Sequence, residues 1–183
     1  MLRIQHITSA GIELQICIQL FQEYAQELNE DLCFQSFDTE LENPLKKYGP
    51  PTGSLLLAYW KHQPVGCVAL TNITNATTSH APESSISTSL HPSTTLHPST
   101  SLRICEMKRL YVQPAFRKHT IGAALVEAIV QEARALNYAV MKLDTLQRLQ
   151  PAIQLYLKKG FVVTNAYYKN PLPGVVYMEM ELG

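Results

Sequence analysis

Hydrophobic and polar residues along this chain recur with two different periods, which predicts a mixture of helices and strands. Apolar residues at steps of three and four positions predict one helix over Ile12–Leu28 and another over Ile121–Leu136. Alternation of apolar and polar residues over Val175–Leu182 predicts a strand with one buried face. Two apolar runs, Leu55–Trp60 and Val65–Leu70, flank a short polar connection and predict a hairpin.

Shorter apolar stretches add the remaining elements. In chain order they are a strand over Arg3–Ile7, a short helix after Phe37, strands over Ile104–Val112 and Val140–Leu143, and a helix over Gln150–Lys159. Gly160 follows that helix directly and suits a left-handed C-cap. Because strands precede and follow crossover helices, the pattern predicts an α/β fold with a mixed central sheet flanked by helices.

One segment does not follow this pattern. From about residue 74 to residue 101 the chain is rich in Ser, Thr, Pro and His, and Leu90–Thr95 is followed at once by the similar Leu96–Ser101. We expect an inserted low-complexity loop within a single domain spanning residues 1–183. His91 and His97 have no third ligand in register, so the repeat does not predict a metal site.

Composition narrows the class of protein. The 183 residues are 46% hydrophobic, with a formal net charge of zero and an isoelectric point near 7.0. This length and hydrophobic content suffice for one core, and the lack of net basic charge gives no reason to expect nucleic acid or a membrane as partner. Four cysteines without metal-ligand spacing, and no signal-like or membrane-spanning run, favour a cytoplasmic protein with reduced thiols.

The segment from residue 110 to residue 125 carries the clearest chemistry. It joins a predicted strand to a predicted helix, and the N–H groups in the first turn of a helix have no partner inside the helix. Gly122 lacks a Cβ and lets a ligand approach the backbone, while Arg117 and Lys118 add positive charge. The turn therefore predicts a site for the diphosphate of a nucleotide cofactor, the alternative being a solvated helix start with two surface cations.

Three blocks, in order, resemble the GNAT superfamily of acyl-CoA-dependent N-acetyltransferases. The cofactor turn of that family has Gln or Arg, two spacers, Gly, a spacer, then Gly or Ala, and this chain has Arg-Lys-His-Thr-Ile-Gly over residues 117–122. His119 and Thr120 stand where the family usually has a small residue and a glycine, and the Thr120 hydroxyl is able to cap the helix. Residues 105–114 are similar to the family strand that splays from its neighbour, and residues 152–161 to its Ala-Ile-x-Leu-Tyr-x-x-x-Gly-Phe block.

The resemblance implies a GNAT-like fold whose central sheet splays at a cofactor cleft, with acetyl-CoA as co-substrate and no metal. The cofactor is expected to contact Leu110, Tyr111, Val112, Arg117, Lys118, His119, Thr120, Ile121, Gly122 and Ala123. The resemblance also places the hydroxyl of Tyr156 near the sulfur of departing CoA, where it would act as an acid.

Attack of an amine on a thioester requires a group that accepts a proton, because an alkylammonium with a pKa near ~10 has no free electron pair. Glu106 is our candidate for this base, since it lies on the strand that leads to the cofactor turn. The alternative is that Glu106 pairs with Lys108 or Arg109 at the surface. Cys105 is interpreted as a packed thiol and not as a nucleophile.

The acceptor is the least defined part of the prediction. Seven acidic residues and no Lys or Arg lie between Glu23 and Glu42, near the acceptor mouth of the family, and an acidic rim would attract a cationic amine. A solvated helix face followed by an acidic loop explains the same pattern. Tyr167–Gly174 would close the other side of the mouth.

We therefore expect transfer of an acetyl group from acetyl-CoA to a primary amine of a small molecule or peptide, in a ternary complex. A non-catalytic acyl-CoA-binding or regulatory module is the alternative. The oligomeric state stays open, and a homodimer is compatible with the sequence.

Overall fold

A computed structural model of the chain describes residues 1–33, 36–74 and 102–183, and within these ranges seven strands form one sheet. The strands are Leu2–His6 (β1), Ser54–Trp60 (β2), Gln63–Asn72 (β3), Ile104–Val112 (β4), Val140–Leu146 (β5), Val162–Thr164 (β6) and Val175–Glu181 (β7). The helices are Ile12–Leu28 (α1), Phe37–Glu42 (α2), Pro44–Tyr48 (α3), Ile121–Ala135 (α4) and Gln150–Lys158 (α5), with a 3-10 helix over Pro114–His119.

The order of strands across the sheet is β1-β2-β3-β4-β5-β7-β6. Neighbouring strands are antiparallel except β4 and β5, which are parallel and are connected through α4. Parallel strands need such a crossover, because a tight turn cannot return the chain in the same direction. The predicted α/β fold with a mixed central sheet is therefore confirmed.

The parallel pair is short. Only Ile104–Glu106 of β4 lies beside Val140–Lys142 of β5, after which β4 continues along β3 and β5 continues along β7. The register of the β3–β4 ladder shifts beside Arg109, whose φ is 56°, and a bulge of this kind bends the strand that carries it. The sheet therefore opens into a V between β4 and β5.

Two apolar layers cover the two faces of the sheet. The stripe predicted for the second long helix is buried against one face, with Ile121, Leu125 and Ile129 inaccessible to solvent. On the other face, α1 and α3 contribute the side chains of Phe21 and Tyr48. Successive residues of β2 alternate between these layers, as the two-residue period of a strand requires.

Most predicted elements are present, with small differences at their ends. The hairpin turns at Lys61 and His62, which both have positive φ and so match the twist of the flanking strands. Gly160 has a φ of 97°, which confirms the left-handed C-cap. The sequence did not predict α3 or the 3-10 helix, because each is a short segment without a full helical period.

Some expectations remain untested. Apart from Thr74, the predicted inserted loop lies outside the described residues, as do His91 and His97.

All four cysteines are unpaired: three are buried, and Cys33 is exposed. No helix in the described ranges has both the length and the apolar character needed to cross a membrane.

A buried ion pair fixes the bulge in β4. The guanidinium of Arg109 donates from Nε to Glu40 Oε1 at 2.6 Å and from Nη2 to Glu40 Oε2 at 3.0 Å, and both side chains are almost fully buried. Lys47 Nζ donates to the same Oε2 at 2.9 Å. These contacts attach α2, which carries Glu40, and α3, which carries Lys47, to β4 at the point where the sheet opens.

We predict that Glu40→Ala lowers the free energy of unfolding by about 3–5 kcal/mol, because it leaves the Arg109 guanidinium buried without a partner. Burial alone would raise the pKa of Glu40, but the hydrogen bond and charge of Arg109, helped by Lys47, hold it below its ordinary value. The stabilisation is therefore present above the ordinary pKa and is lost as the pH falls through the lowered one. Urea denaturation at neutral and acidic pH measures both effects. The exposed Glu42→Ala is the matched control, and equal stability of the two variants would contradict the prediction.

Candidate active site

A cleft runs between α1, the end of β4, the start of α4 and α5. Its wider, outer part has a volume of about 350 Å³. The wall includes the end of β4, the start of the cofactor turn and one face of α5, through Leu110, Tyr111, Val112, Arg117, Gly122, Pro151, Ala152 and Leu155. Five of the ten residues that the sequence predicted for cofactor binding therefore line this cleft, whereas the side chains of Lys118, His119, Thr120, Ile121 and Ala123 do not.

A narrower chamber of about 80 Å³ lies where β4 and β5 separate. It shares Tyr24, Leu110 and Ala152 with the outer part of the cleft, so the two form one site. Seven of its fifteen wall residues are leucines, and its charged residues are Lys108, Asp144 and Arg109. Lys108 and Asp144 bond to each other across the chamber, and Arg109 bonds to Glu40. A ligand could therefore extend from the helix terminus to the point of strand separation.

The start of α4 contributes backbone N–H groups to this cleft. Thr120 precedes the helix with a φ of 59°, a left-handed conformation that favours glycine and explains the glycine usual in the family. Its hydroxyl donates to the carbonyl of His119 at 2.7 Å and does not cap the helix. The first-turn amides therefore remain without an intrahelical partner and are available to a ligand.

Gly122 lies on the wall of the cleft. A Cβ at this position would lie 3.5 Å from Leu155 Cδ2 and 3.9 Å from Val112 Cγ2, which are ordinary contact distances. A methyl group therefore fits, whereas a longer side chain would extend into the cleft or displace these neighbours.

Arg117 is not a free cation. Its Nη2 lies 2.5 Å from Glu27 Oε2, and its Nε donates to the carbonyl of Val112 at 2.9 Å. Glu27 also lines the outer cleft, so the pair contributes little net charge to it. Arg117 thus fixes the cofactor turn to β4 and to α1.

The rest of the turn is held by an aromatic contact. The ring of His119 stacks on Trp60 with 4.7 Å between centroids and 17° between planes. Lys118 is exposed and has no ion pair among the residues that the structure describes. Of the two cations that the sequence predicted for the diphosphate, Lys118 is the one left unpaired.

Tyr156 lies in the wall of the inner chamber, near the end of α5. The chain reverses at Gly160, so that the N–H of Phe161 donates to the Tyr156 carbonyl at 3.1 Å and the two rings pack at 5.8 Å. Within the described residues the Tyr156 hydroxyl has no hydrogen-bond partner. Burial raises the pKa of this phenol, so the hydroxyl stays protonated and can donate into the chamber.

Glu106 is buried and does not line the chamber. Its Oε1 accepts a hydrogen bond from the Tyr167 hydroxyl at 2.6 Å and lies 3.2 Å from Lys108 Nζ. The expected alternative, pairing with Lys108, is therefore present, although it is buried and not at the surface. Arg109 pairs with Glu40 instead. A catalytic function for Glu106 stays a prediction.

The structure adds contacts that the sequence did not suggest. Lys108 Nζ lies 3.0 Å from Asp144 Oδ1, and Asp144 Oδ2 accepts from Asn170 Nδ2 at 3.1 Å. Tyr24 lines both parts of the cleft. No local motif marks these residues, since only the pairing of distant strands brings Lys108 to Asp144.

The acidic segment between Glu23 and Glu42 forms less of a free rim than the sequence suggested. Three of its carboxylates pair with cations: Glu27 with Arg117, Glu30 with Arg148, and Glu40 with Arg109 and Lys47. Glu23 accepts from the amide of Gln113 at 3.0 Å. These contacts favour a structural function for most of the segment.

The chain belongs to the acetyltransferase (GNAT) family, whose model matches residues 17–161. It is 43% identical over 164 residues to an uncharacterized N-acetyltransferase of Schizosaccharomyces pombe, across 89% of this chain and 85% of that protein. A GNAT acetyltransferase of Staphylococcus aureus has the same fold, with a TM-score of 0.68 and 18% identity over 99% of this chain and all of that one. The Campylobacter jejuni N-acetyltransferase PseH, in complex with acetyl coenzyme A, matches with a TM-score of 0.56 and 14% identity over 99% of each chain.

Proposed function

We propose that this chain transfers an acetyl group from acetyl-CoA to a primary amine of a small molecule or peptide, by direct attack in a ternary complex. One observation carries the proposal: a single cleft connects the unpaired amides of a helix start to a chamber that contains an unpartnered tyrosine hydroxyl. Membership of the GNAT family supports the reaction class. The PseH complex supports acetyl-CoA as the donor, since that protein has the same fold.

The outer cleft would hold the diphosphate of the donor. The amides of Ile121, Gly122 and Ala123 supply N–H groups and the positive end of the α4 dipole, and the amide of Thr120 adjoins them. Lys118 adds a full positive charge at the surface. Arg117 and His119 would act mainly by holding this turn in place.

The unpaired edge of β4 would hold the pantetheine arm. Among the described residues, β4 has no strand partner on the β5 side beyond Glu106, so the backbone between Leu110 and Val112 can bond to the amides of the arm. The thioester would then lie in the inner chamber, whose wall includes Tyr156. A backbone N–H of β4 would stabilise the charge that develops on the acyl oxygen.

The reaction requires no acyl-enzyme. Burial raises the pKa of the Cys105 thiol to about 12, so this residue is protonated at neutral pH and is a poor nucleophile. The amine attacks the thioester carbonyl, the C–S bond breaks, and Tyr156 donates a proton to the departing sulfur. Glu106, the base that the sequence suggested, does not line the chamber and is connected to it through Lys108, which bonds to Asp144.

We predict that Gly122→Leu weakens the binding of coenzyme A at least about tenfold, because the side chain would fill the outer cleft. Gly122→Ala is the matched control. Its methyl group fits, and alanine stabilises a helix by up to about 1 kcal/mol relative to glycine. Titration calorimetry measures both affinities, and wild-type affinity in Gly122→Leu would show that the ligand does not use this cleft.

We predict that Tyr156→Phe lowers kcat by about 10²–10⁴-fold and leaves the KM for acetyl-CoA nearly unchanged, because only proton donation to sulfur is lost. Tyr138→Phe removes another largely buried hydroxyl, which bonds to the Thr52 carbonyl away from the cleft. That control should retain wild-type turnover. Equal turnover in both variants would refute the acid function of Tyr156.

Thiol release from acetyl-CoA over a broad panel of primary amines tests the proposed function itself. Turnover with any amine supports the enzyme. Tight binding of coenzyme A without turnover across the panel would instead indicate the acyl-CoA-binding module.

A further inference from the structure

We infer that Asp144, and not Glu106, binds the acceptor ammonium in the inner chamber and takes its proton. This assignment rests on the proposed function. It begins from the wall of the chamber, where Asp144 is the one carboxylate among the described residues. A base must come within hydrogen-bond reach of the proton that it removes.

The position of Asp144 follows from the strand geometry. The last parallel pair joins Glu106 of β4 to Lys142 of β5, and Lys108 and Asp144 each lie two residues further along. Both side chains lie on the same face of the sheet, and Lys108 Nζ lies 3.0 Å from Asp144 Oδ1 across the gap between the two strands. The thioester would arrive at this point from the outer cleft.

Asp144 retains capacity for another donor. A carboxylate has about four lone-pair sites. Lys108 bonds to Oδ1 and Asn170 to Oδ2, and the Tyr168 hydroxyl also hydrogen-bonds to this carboxylate, which leaves about one site for an acceptor. Glu106, in contrast, does not line the chamber and is engaged by Tyr167 and Lys108.

The charges of the site favour a cation. Glu106, Lys108 and Asp144 form a buried group with two negative charges and one positive charge, while Arg109, the other charged residue of the chamber wall, is paired with Glu40. An alkylammonium would neutralise the excess negative charge, which is costly to keep in an apolar, leucine-lined chamber. An acceptor that carries a carboxylate beside its ammonium has no net charge and would leave this excess in place.

The other polar groups of the chamber are unsuited to remove the proton. Burial lowers the pKa of Lys108, but the charges of Glu106 and Asp144 outweigh this effect and leave it raised, so the amine stays protonated. Burial also raises the pKa of Tyr24 and Tyr156, which stay neutral. The titratable and charged groups around Asp144 are Glu106, Lys108 and Arg109 of β4, Tyr24 of α1, Tyr156 of α5, Tyr177 of β7, and Tyr167 and Tyr168 of the loop before β7.

The proton balance is complete with these groups. The ammonium gives one proton to Asp144, and the free electron pair of the amine forms the C–N bond as the C–S bond breaks. The sulfur takes a proton from Tyr156, and the new amide nitrogen loses its second proton, which restores the phenol. Asp144 then releases one proton to solvent, as conversion of an ammonium to an amide requires.

We predict that Asp144→Asn changes the shape of the pH–rate profile, with the amine that the wild type acetylates fastest. Without a base, kcat should be proportional to the fraction of the acceptor that is present as free amine. It should therefore rise about tenfold per pH unit below the amine pKa of ~10. At neutral pH the loss should be about 10²–10⁴-fold. Asp38→Asn, at an exposed carboxylate that does not line the cleft, is the matched control and should retain the wild-type profile. Glu106→Gln tests the competing candidate, and the assignment to Asp144 requires that it keep the shape of the profile.

A second variant separates catalysis from structure. Formate should restore activity to Asp144→Ala, because it supplies a carboxylate in the space that is left, and it should not restore activity to Tyr156→Phe. Calorimetry with coenzyme A verifies that each variant retains the cleft.

Any of three results overturns the inference. The first is an Asp144→Asn variant whose pH–rate profile keeps the wild-type shape, whatever its maximal rate. The second is a profile altered by Glu106→Gln alone, and the third is a failure of formate to restore activity to Asp144→Ala. An inactive wild type that binds coenzyme A would instead overturn the proposed function, and this assignment with it.

Discussion

The separation of β4 from β5 is the constraint on which the site depends. Two parallel strands that part after three residues leave backbone groups without partners, and such groups need either water or a ligand. The bulge at Arg109 makes the separation possible, and the buried bond from Arg109 to Glu40 holds the bulge in place. Structural stability and the shape of the cleft therefore depend on the same contact.

The two ends of the cleft are fixed by different local means. At the outer end, the left-handed backbone conformation of Thr120 and the stacking of His119 on Trp60 orient the start of α4 toward the cleft. At the inner end, the chain reversal at Gly160 bonds the backbone of Tyr156 and packs its ring. Between them the open edge of β4 supplies hydrogen-bonding groups, so a long donor can be bound along one continuous surface.

Local sequence was sufficient to predict much of this structure. The helical stripe of α4, the hairpin of β2 and β3, and the C-cap at Gly160 depend on residues close in the chain, and each was predicted. Contacts between distant residues were not. Glu40 and Arg109 are 69 positions apart, and Lys108 and Asp144 are 36 apart, so no spacing signals either pair. For the same reason, no spacing in the sequence pointed to Asp144, which lines the chamber.

A crystal structure of this chain with coenzyme A tests the central claim most directly. The account predicts the diphosphate within hydrogen-bonding distance of the amides of residues 121–123, the pantetheine arm along Leu110–Val112, and the sulfur beside the Tyr156 hydroxyl. Coenzyme A bound elsewhere, or with its diphosphate away from the start of α4, would contradict the account.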